Sequence, residues 1–257
     1  MLNFETILTL LVLFCALMVL LDRVFWRKHR AAQPPSSESF MGYVYSFFPI
    51  LLLVLCVRSF VYEPFRIPSQ SLVPTLLVGD FIAVEKFAYD LRLPVLHTVI
   101  WHRATPQRGD VVVFRWPVKP AVAFIKRVIA VPGDSVSYQH KQLYINGKKV
   151  PLTALRTETM ADITGHLWPV TKYREQLPPD RRHYIVLREN ASADDMAEIK
   201  VPAGYYFVMG DNRDDSIDSR GWGFVPAGNI VGRAAMIWLS WDSHRWRVRT
   251  SRLGQGL

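Results

Sequence analysis

Apolar and polar positions are unevenly spread along this chain. Ile7 to Leu21 contains a single polar residue, Thr9, and Phe40 to Val57 runs without a charge. A helix needs about 20 mostly apolar residues to cross the hydrocarbon core of a bilayer, and both stretches reach that length with their flanks. The pattern predicts spans over 3–24 and 42–60, joined by a loop over 25–41. Pro49 lies within the second span, where neighbouring helices can satisfy the carbonyl it frees. Past residue 60 the rhythm changes to short β-branched and aromatic runs: DVVVFR (110–115), AVAFIKRVIAV (121–131), QLYINGKKV (142–150), YYFVMG (205–210) and NIVGRAAMIWLSWD (229–242). These read as strands. Asn146-Gly147 between Leu143-Tyr144-Ile145 and Lys148-Lys149-Val150 predicts a type I′ hairpin. Residues 151–200 are polar and patchy and read as a satellite insertion, bounded at 134–203. The fold class is mainly β: two N-terminal transmembrane helices, then a large antiparallel β-sheet domain over 61–257 with a smaller inserted β lobe.

The first span does not read as a cleaved leader. Its opening, MLNFET, carries Glu5 and no Lys or Arg, no small-x-small site follows the apolar core, and DRVFWRKHR follows as a stop-transfer flank. Cys15 and Cys56 fall within the spans, so no disulfide framework is implied. The loop between the spans holds Arg23, Arg27, Lys28 and Arg30 and then the linker-like AAQPPSSES. Positive charge in a short loop beside a span marks the cytoplasmic side, which puts the β domain on the outer side of the membrane. The net charge of +9 suits a domain held close to anionic headgroups. Nucleic acid is not an expected partner, because no recognition-helix or aromatic RNA-binding pattern is present. The C-terminal HRWRVRTSR, with Arg245, Arg247 and Arg249 alternating with Trp246 and Val248, reads as a strand with one cationic face, either solvated or in contact with the interface.

Three stretches carry candidate chemistry. In IPSQSLVPTL (67–76), Ser69 and Ser71 stand between Pro68 and Pro74. Prolines favour extended geometry around them, and alternate residues of an extended ribbon face one way, so both hydroxyls are expected on one side. On 121–131, alternation sets Lys126 alone in an apolar row with Val122, Phe124, Val128 and Ala130, while the opposite face is also mostly apolar. Burial depresses a lysine pKa, and a neutral lysine serves as a general base at ordinary pH. GDNRDDSIDSRGWGFVP (210–226) fails as an EF-hand, since Arg213 and Ser216 occupy positions that need a ligand and a glycine. It reads instead as a rigid polar loop in which Asp218 and Arg220 pair and Ser216 donates to a catalytic group. No G-x-S-x-G elbow, H-E-x-x-H or P-loop is present, and neither metal nor cofactor is called for.

Taken together and in this order, the three stretches resemble those of the bacterial type I signal peptidases (leader peptidases), a Ser-Lys dyad serine protease family. IPSQSLVPTL is similar to the nucleophile box, FIKRVIAVPGD (124–134) to the lysine box, and GDNRDDSIDSRGWGFVP to the C-terminal box. The resemblance implies Ser71 as nucleophile and Lys126 as general base. It implies Ser69 as an oxyanion-hole donor beside the Ser71 backbone N–H, Ser216 as the residue that positions the lysine amine, Asp218 and Arg220 as a supporting pair, and Gly210 to Asp214 as a structural loop that includes Asp211. Leu72 stands where the family usually has Met, and Ala130 where it often has Gly.

The resemblance further implies a membrane-bound endopeptidase, multi-pass in the inner (plasma) membrane, with its catalytic domain in the periplasm or on the equivalent outer side. It would remove N-terminal signal peptides from exported preproteins. Membrane phospholipid and proximity to the export translocon are the surroundings it implies. Ser71 lies 14 residues beyond Val57, so the nucleophile is expected near the membrane surface, within reach of substrates tethered by an apolar helix. Ile67, Pro68, Leu72, Phe124 and Ile125 are expected to line shallow pockets that admit small side chains, with an extended peptide adding beside 121–126. A membrane protease with a narrower set of exported substrates and a catalytically silent binding homologue remain the alternatives, together with a lipid-binding β domain that would leave the three boxes unexplained.

Overall fold

The computed structural model describes residues 4–26, 39–96, 98–161, 165–189, 191–192, 194–243 and 245–257. Arg27, Lys28, Arg30 and most of the linker-like AAQPPSSES, on which the orientation argument leans, lie outside the described residues. Two compact units emerge: residues 1–63 with 90–103, and residues 64–89 with 104–257.

The first unit contains α1 (Phe4–Leu21) and α2 (Phe40–Cys56), each extended by a further helical turn, and the stretches Phe4–Phe25 and Phe40–Val61 are long and apolar enough to cross a membrane. Leu8, Val12, Cys15 and Val19 form one stripe of α1, and this stripe packs on Val44, Phe48, Leu51 and Leu55 of α2. Spacings of four, three and four are what one face of a helix requires. Most of the other apolar side chains of the two helices, such as Leu13, Leu20, Ile50 and Leu53, are exposed. Cys15 is buried at the helix contact and Cys56 is exposed.

The strands, numbered along the chain, begin with β1 (Tyr62–Arg66) and β2 (Asp80–Glu85), followed by the pair β3 (Asp90–Arg92) and β4 (Val99–His102). Next come β5 (Val111–Arg115), β6 (Ala123–Ala130), β7 (Ser135–Gln139), β8 (Gln142–Ile145) and β9 (Lys148–Lys149). Three longer strands follow, β10 (Leu152–Ala161), β11 (Leu167–Leu177) and β12 (Arg181–Arg188), and then β13 (Met196–Lys200). The chain closes with β14 (Tyr205–Met209), β15 (Val225–Pro226), the 13-residue β16 (Ile230–Asp242) and β17 (Arg247–Val248). The principal sheet has the order β1-β2-β16-β5-β6-β14-β15, with β17 paired to β16, and its described pairs are antiparallel.

Two expectations need correction. The hairpin β3–β4 does not belong with the rest of the β domain; it groups with the two helices. The region 134–203 forms two sheets of its own, β13-β7-β8-β9 and β10-β11-β12, and shares a core with the principal sheet, in which Val136, Tyr138, Leu143 and Val201 pack on Ile129, Ala130, Phe207 and Met209. Its polar stretch is a meander of three long strands, β10-β11-β12, hidden from alternation because much of both faces is exposed. The cationic C-terminal strand is reduced to Arg247–Val248. Arg249 and Arg252 turn inward instead: Arg252 donates to the buried Asp80 carboxylate at 2.6 Å, and Arg249 donates to the Val78 carbonyl at 3.1 Å. The Asn146-Gly147 hairpin is present with φ of 52° and 70°, the left-handed pair that a type I′ turn demands.

Candidate active site

Ser71 sits in the loop between β1 and β2. This loop is not the extended ribbon expected from its prolines. Val73 N–H donates to the Gln70 carbonyl (3.0 Å) and Leu76 N–H to the Leu72 carbonyl (2.9 Å), so residues 70–76 wind into successive turns. Ser69 and Ser71 still converge, with their hydroxyl oxygens 3.3 Å apart. The turn anchors Leu72 and Leu76 in the core with Ile67, Val111, Val113 and Ile125. Ile67 and Leu72 are only 1% exposed, which corrects their assignment as lining residues: they pack beneath the site and do not face an open pocket. Pro68 is exposed, Phe124 half-buried and Ile125 buried.

Lys126 extends from β6 to the same place, and its Nζ lies 2.6 Å from Ser71 Oγ. Strand alternation puts Phe124 on the same face, with its ring centroid 5.7 Å from Nζ. Burial pushes the Lys126 amine down to about 8, against weaker opposing pulls from the Asp218 and Asp211 carboxylates. Lys126 and Ser71 come together from positions 55 apart in the chain.

The segment after β14 clamps this arrangement. Asn212 N–H donates to the Ser71 carbonyl (3.1 Å), and its side-chain amide donates to the Gln70 carbonyl (3.3 Å). Gly210 passes so close that a Cβ there would collide with the Ser71 carbonyl and with the Ser216 side chain. No other residue fits that gap without moving one of them. Asp218 caps α3 (Ser219–Trp222), accepts from Gly210 N–H at 3.0 Å and receives Arg220 through both Nε and Nη2 at 2.9 Å. Arg220 also donates to the Arg213 carbonyl, closing the loop on itself. The hydroxyl of Ser216 is buried and makes no hydrogen bond among the described residues, so its expected bond to the lysine amine is not formed in this structure.

A second set of charged residues was not foreseen from the sequence. Arg127, the residue after Lys126, donates to both Asp211 oxygens (2.8 and 2.7 Å) and to the Gly109 carbonyl (2.7 Å). Thr75, four residues after Ser71, donates to Asp211 Oδ2 at 2.5 Å. Two facing residues of the meander join in. Glu175 on β11 receives Arg213 through both terminal nitrogens, and His183 on β12 places Nε2 3.1 Å from Glu175. Burial alone would raise Glu175, but the Arg213 guanidinium wins and takes it down to about 2. Asp211 is likewise held below the ordinary carboxylate range, mainly by Arg127. Burial and the Arg127 charge lower His183. The strands read as a satellite therefore brace the site. The only sequence signal for this was the cluster of charges itself, and nothing local says which of them meet.

The chain matches a family model described as signal peptidase, peptidase S26, over residues 40–241. A signal peptidase I of Pseudomonas aeruginosa is 41% identical, with 93% of each chain covered. A signal peptidase I of Aquifex aeolicus is 37% identical over 75% of this chain and 82% of its own. A crystal structure of a signal peptidase I from Enterococcus faecalis is 27% identical, with a TM-score of 0.30 over 50% of this chain and 96% of that one. With a family match across most of its length and relatives of this identity, the chain belongs to the signal peptidase family, peptidase S26.

Proposed function

We propose that the chain removes N-terminal signal peptides from exported preproteins by a Ser71–Lys126 dyad, working at the outer face of the membrane that its two apolar helices cross. The observation that carries this reading is the 2.6 Å contact between Lys126 Nζ and Ser71 Oγ, made by an amine whose burial lowers its pKa to about 8. An ammonium cannot take a proton. At that value a useful fraction of the amine is neutral near pH 7–8 and can accept the hydroxyl proton as Ser71 Oγ attacks the scissile carbonyl. The tetrahedral oxyanion then needs donors. Ser69 Oγ, 3.3 Å from the nucleophile, and the Ser71 backbone N–H serve as the pair. Collapse of this intermediate expels the amine of the mature protein and leaves an acyl-enzyme on Ser71. Water activated by the same lysine hydrolyses it. Ser216 positions the lysine during turnover, when substrate completes the packing around its buried hydroxyl.

Substrate binding has a natural place. Strand β14 pairs with β6 only over Arg127–Ala130, so the stretch of β6 ahead of Lys126 has no strand partner on that side among the described residues. An extended peptide added there would run alongside Phe124 toward the dyad. The charge pattern around residues 22–41 supports an outer-face catalytic domain, and a tether of 14 residues from Val57 to Ser71 supports substrates that stay anchored in lipid. Nearness to the export translocon belongs to the same reading.

The test is cleavage of a purified preprotein carrying an Ala-x-Ala site by the full chain in detergent or lipid, beside Ser71→Ala and Lys126→Ala. Cutting after the second Ala by the parent, with both variants folded and inactive, is the expected result. A folded parent inert on several unrelated preproteins would sink general preprotein processing and favour a narrower protease or a silent homologue.

A further inference from the structure

We propose that the β3–β4 hairpin is a third membrane element, an apolar wedge seated in the lipid headgroup region beside α1 and α2. The chain leaves the catalytic unit after Tyr89, joins the helical unit for residues 90–103 and returns at Ala104. Along this excursion charge and hydrophobicity separate. Asp90, His102 and Arg103 stand at the open root, where Asp90 pairs with His102 at 2.7 Å and also with Arg92, which lies further along, level with Val99, at 2.6 Å. Trp101, opposite Leu91, and then Ile100, Val99, Leu93 and Leu96 toward the turn are all exposed, with Leu96 at 74% and Trp101 at 63%. The two strands form a sheet of their own. An isolated two-stranded hairpin is marginal in water, and among the described residues nothing covers these five apolar side chains.

The occupant follows from where the hairpin sits within the helical unit. Val95 N–H, in the turn, donates to Glu5 at the start of α1 (3.4 Å), and β3 packs against the helical turn at residues 57–61 that ends α2. Arg58 lies over the Phe4 ring at 4.5 Å, so the start of α1 and the end of α2 are level with each other. The hairpin therefore sits where both helices reach the same face of the bilayer. Tryptophan with aliphatic neighbours and basic residues at the root is the composition of an interfacial anchor. Because Tyr89 and Ala104 both belong to the catalytic unit, such an anchor tethers that unit at a second point besides the chain that follows α2.

This rests on the reading that α1 and α2 span the membrane, and the experiment separates the two. In the full chain carrying Cys15→Ala and Cys56→Ala, single cysteines at Leu96→Cys, Leu13→Cys (on α1) and Lys148→Cys (in the catalytic unit) would be labelled with an environment-sensitive fluorophore. Each is reconstituted in phosphatidylethanolamine–phosphatidylglycerol vesicles containing lipids spin-labelled near the headgroup or deep in the acyl chain. The expected result is blue-shifted emission at position 96, quenched most by the shallow spin label, with quenching by the deep label at 13 and by neither at 148. Quenching at 13 but not at 96 overturns the wedge and leaves the anchoring intact, whereas loss of quenching at 13 overturns the anchoring itself. A blue shift at 96 that depends on protein density and not on spin-labelled lipid also overturns the wedge, since a second copy would then be its cover.

Discussion

Lys126 and Arg127 are adjacent on β6, point to opposite faces and are 4% and 5% exposed, yet they meet opposite surroundings. Lys126 reaches a hydroxyl and an aromatic ring, and the nearest carboxylates act on it only at a distance. Arg127 reaches a carboxylate through two nitrogens, and a carbonyl and a threonine complete its fork. Equal burial thus yields a cation that can shed its proton on one face and a cation locked in place on the other. Burial sets the cost of a charge, and the partner decides whether that cost appears as a pKa shift or as a salt bridge. In the proposed mechanism both outcomes serve on consecutive residues: Lys126 supplies the base and Arg127 fixes the strand that carries it.

The sharpest break in this comparison is chemical. Lys126→Met keeps the length and apolar stem of the side chain and removes the base. Activity on a preprotein should fall by about 10⁴-fold or more, as for the loss of other members of a nucleophile–base unit. Single-turnover cleavage measures it, and a loss under a hundredfold would mean that another group takes the proton.

Next is stability. Asp211→Asn removes the charge facing Arg127 while leaving the guanidinium buried, a change that costs about 3–5 kcal/mol in buried pairs. Lys126→Met strands no charge and should cost far less. Chemical denaturation of both variants in one detergent checks the contrast, and equal losses would show that the two faces of β6 are not different in kind.

A third variant tests Ser69, the proposed oxyanion-hole donor. Ser69→Ala should lower kcat by about 10²–10³ with KM little changed, because an oxyanion donor acts in the transition state. Ser69→Thr, which keeps the hydroxyl, should recover part of the rate. A KM effect alone would make Ser69 a substrate contact.

The two faces also differ in how they could be read beforehand. Lys126 stood out because one charge interrupts an alternating apolar strand, and Ser71 because prolines bracket it; both signals are local. The Arg127–Asp211 contact joins residues 84 positions apart, and no spacing rule links them. Glu175 and His183 were harder still. They lie on β11 and β12, in a stretch too polar and patchy in sequence to mark its separate strands, and their partners are fixed only once the meander packs against the loop after β14. The helices were legible for the opposite reason, since lipid demands one unbroken property along the whole element. The hairpin at 90–103 broke the domain boundary because its strands of three and four residues carry too little pattern to show which unit they join. The expected ribbon at 67–76 failed on hydrogen bonding: backbone bonds within the segment, together with those received from Asn212, favour turns over extension.

The smallest predicted effect is graded and concerns the Lys126 face alone. With the amine lowered to about 8, kcat/KM should climb tenfold per pH unit below that value and level off above it, provided the chemical step is rate-limiting. The same shift has a sign for stability. Lys126 binds its proton more weakly in the folded state than in the unfolded chain, where the usual value of 10.5 applies, so its burial is most costly below pH 8. Between about 8 and 10.5 the unfolded state holds more protons, and the folded state gains stability as pH rises through that window. Lys126→Met should remove this contribution. A rate profile that bends near 10.5 would mean that the amine is not desolvated before substrate arrives. A flat profile from pH 6 to 9 would mean that proton transfer from Ser71 does not limit the rate, and the contrast between the two faces of β6 would then be structural without being catalytic.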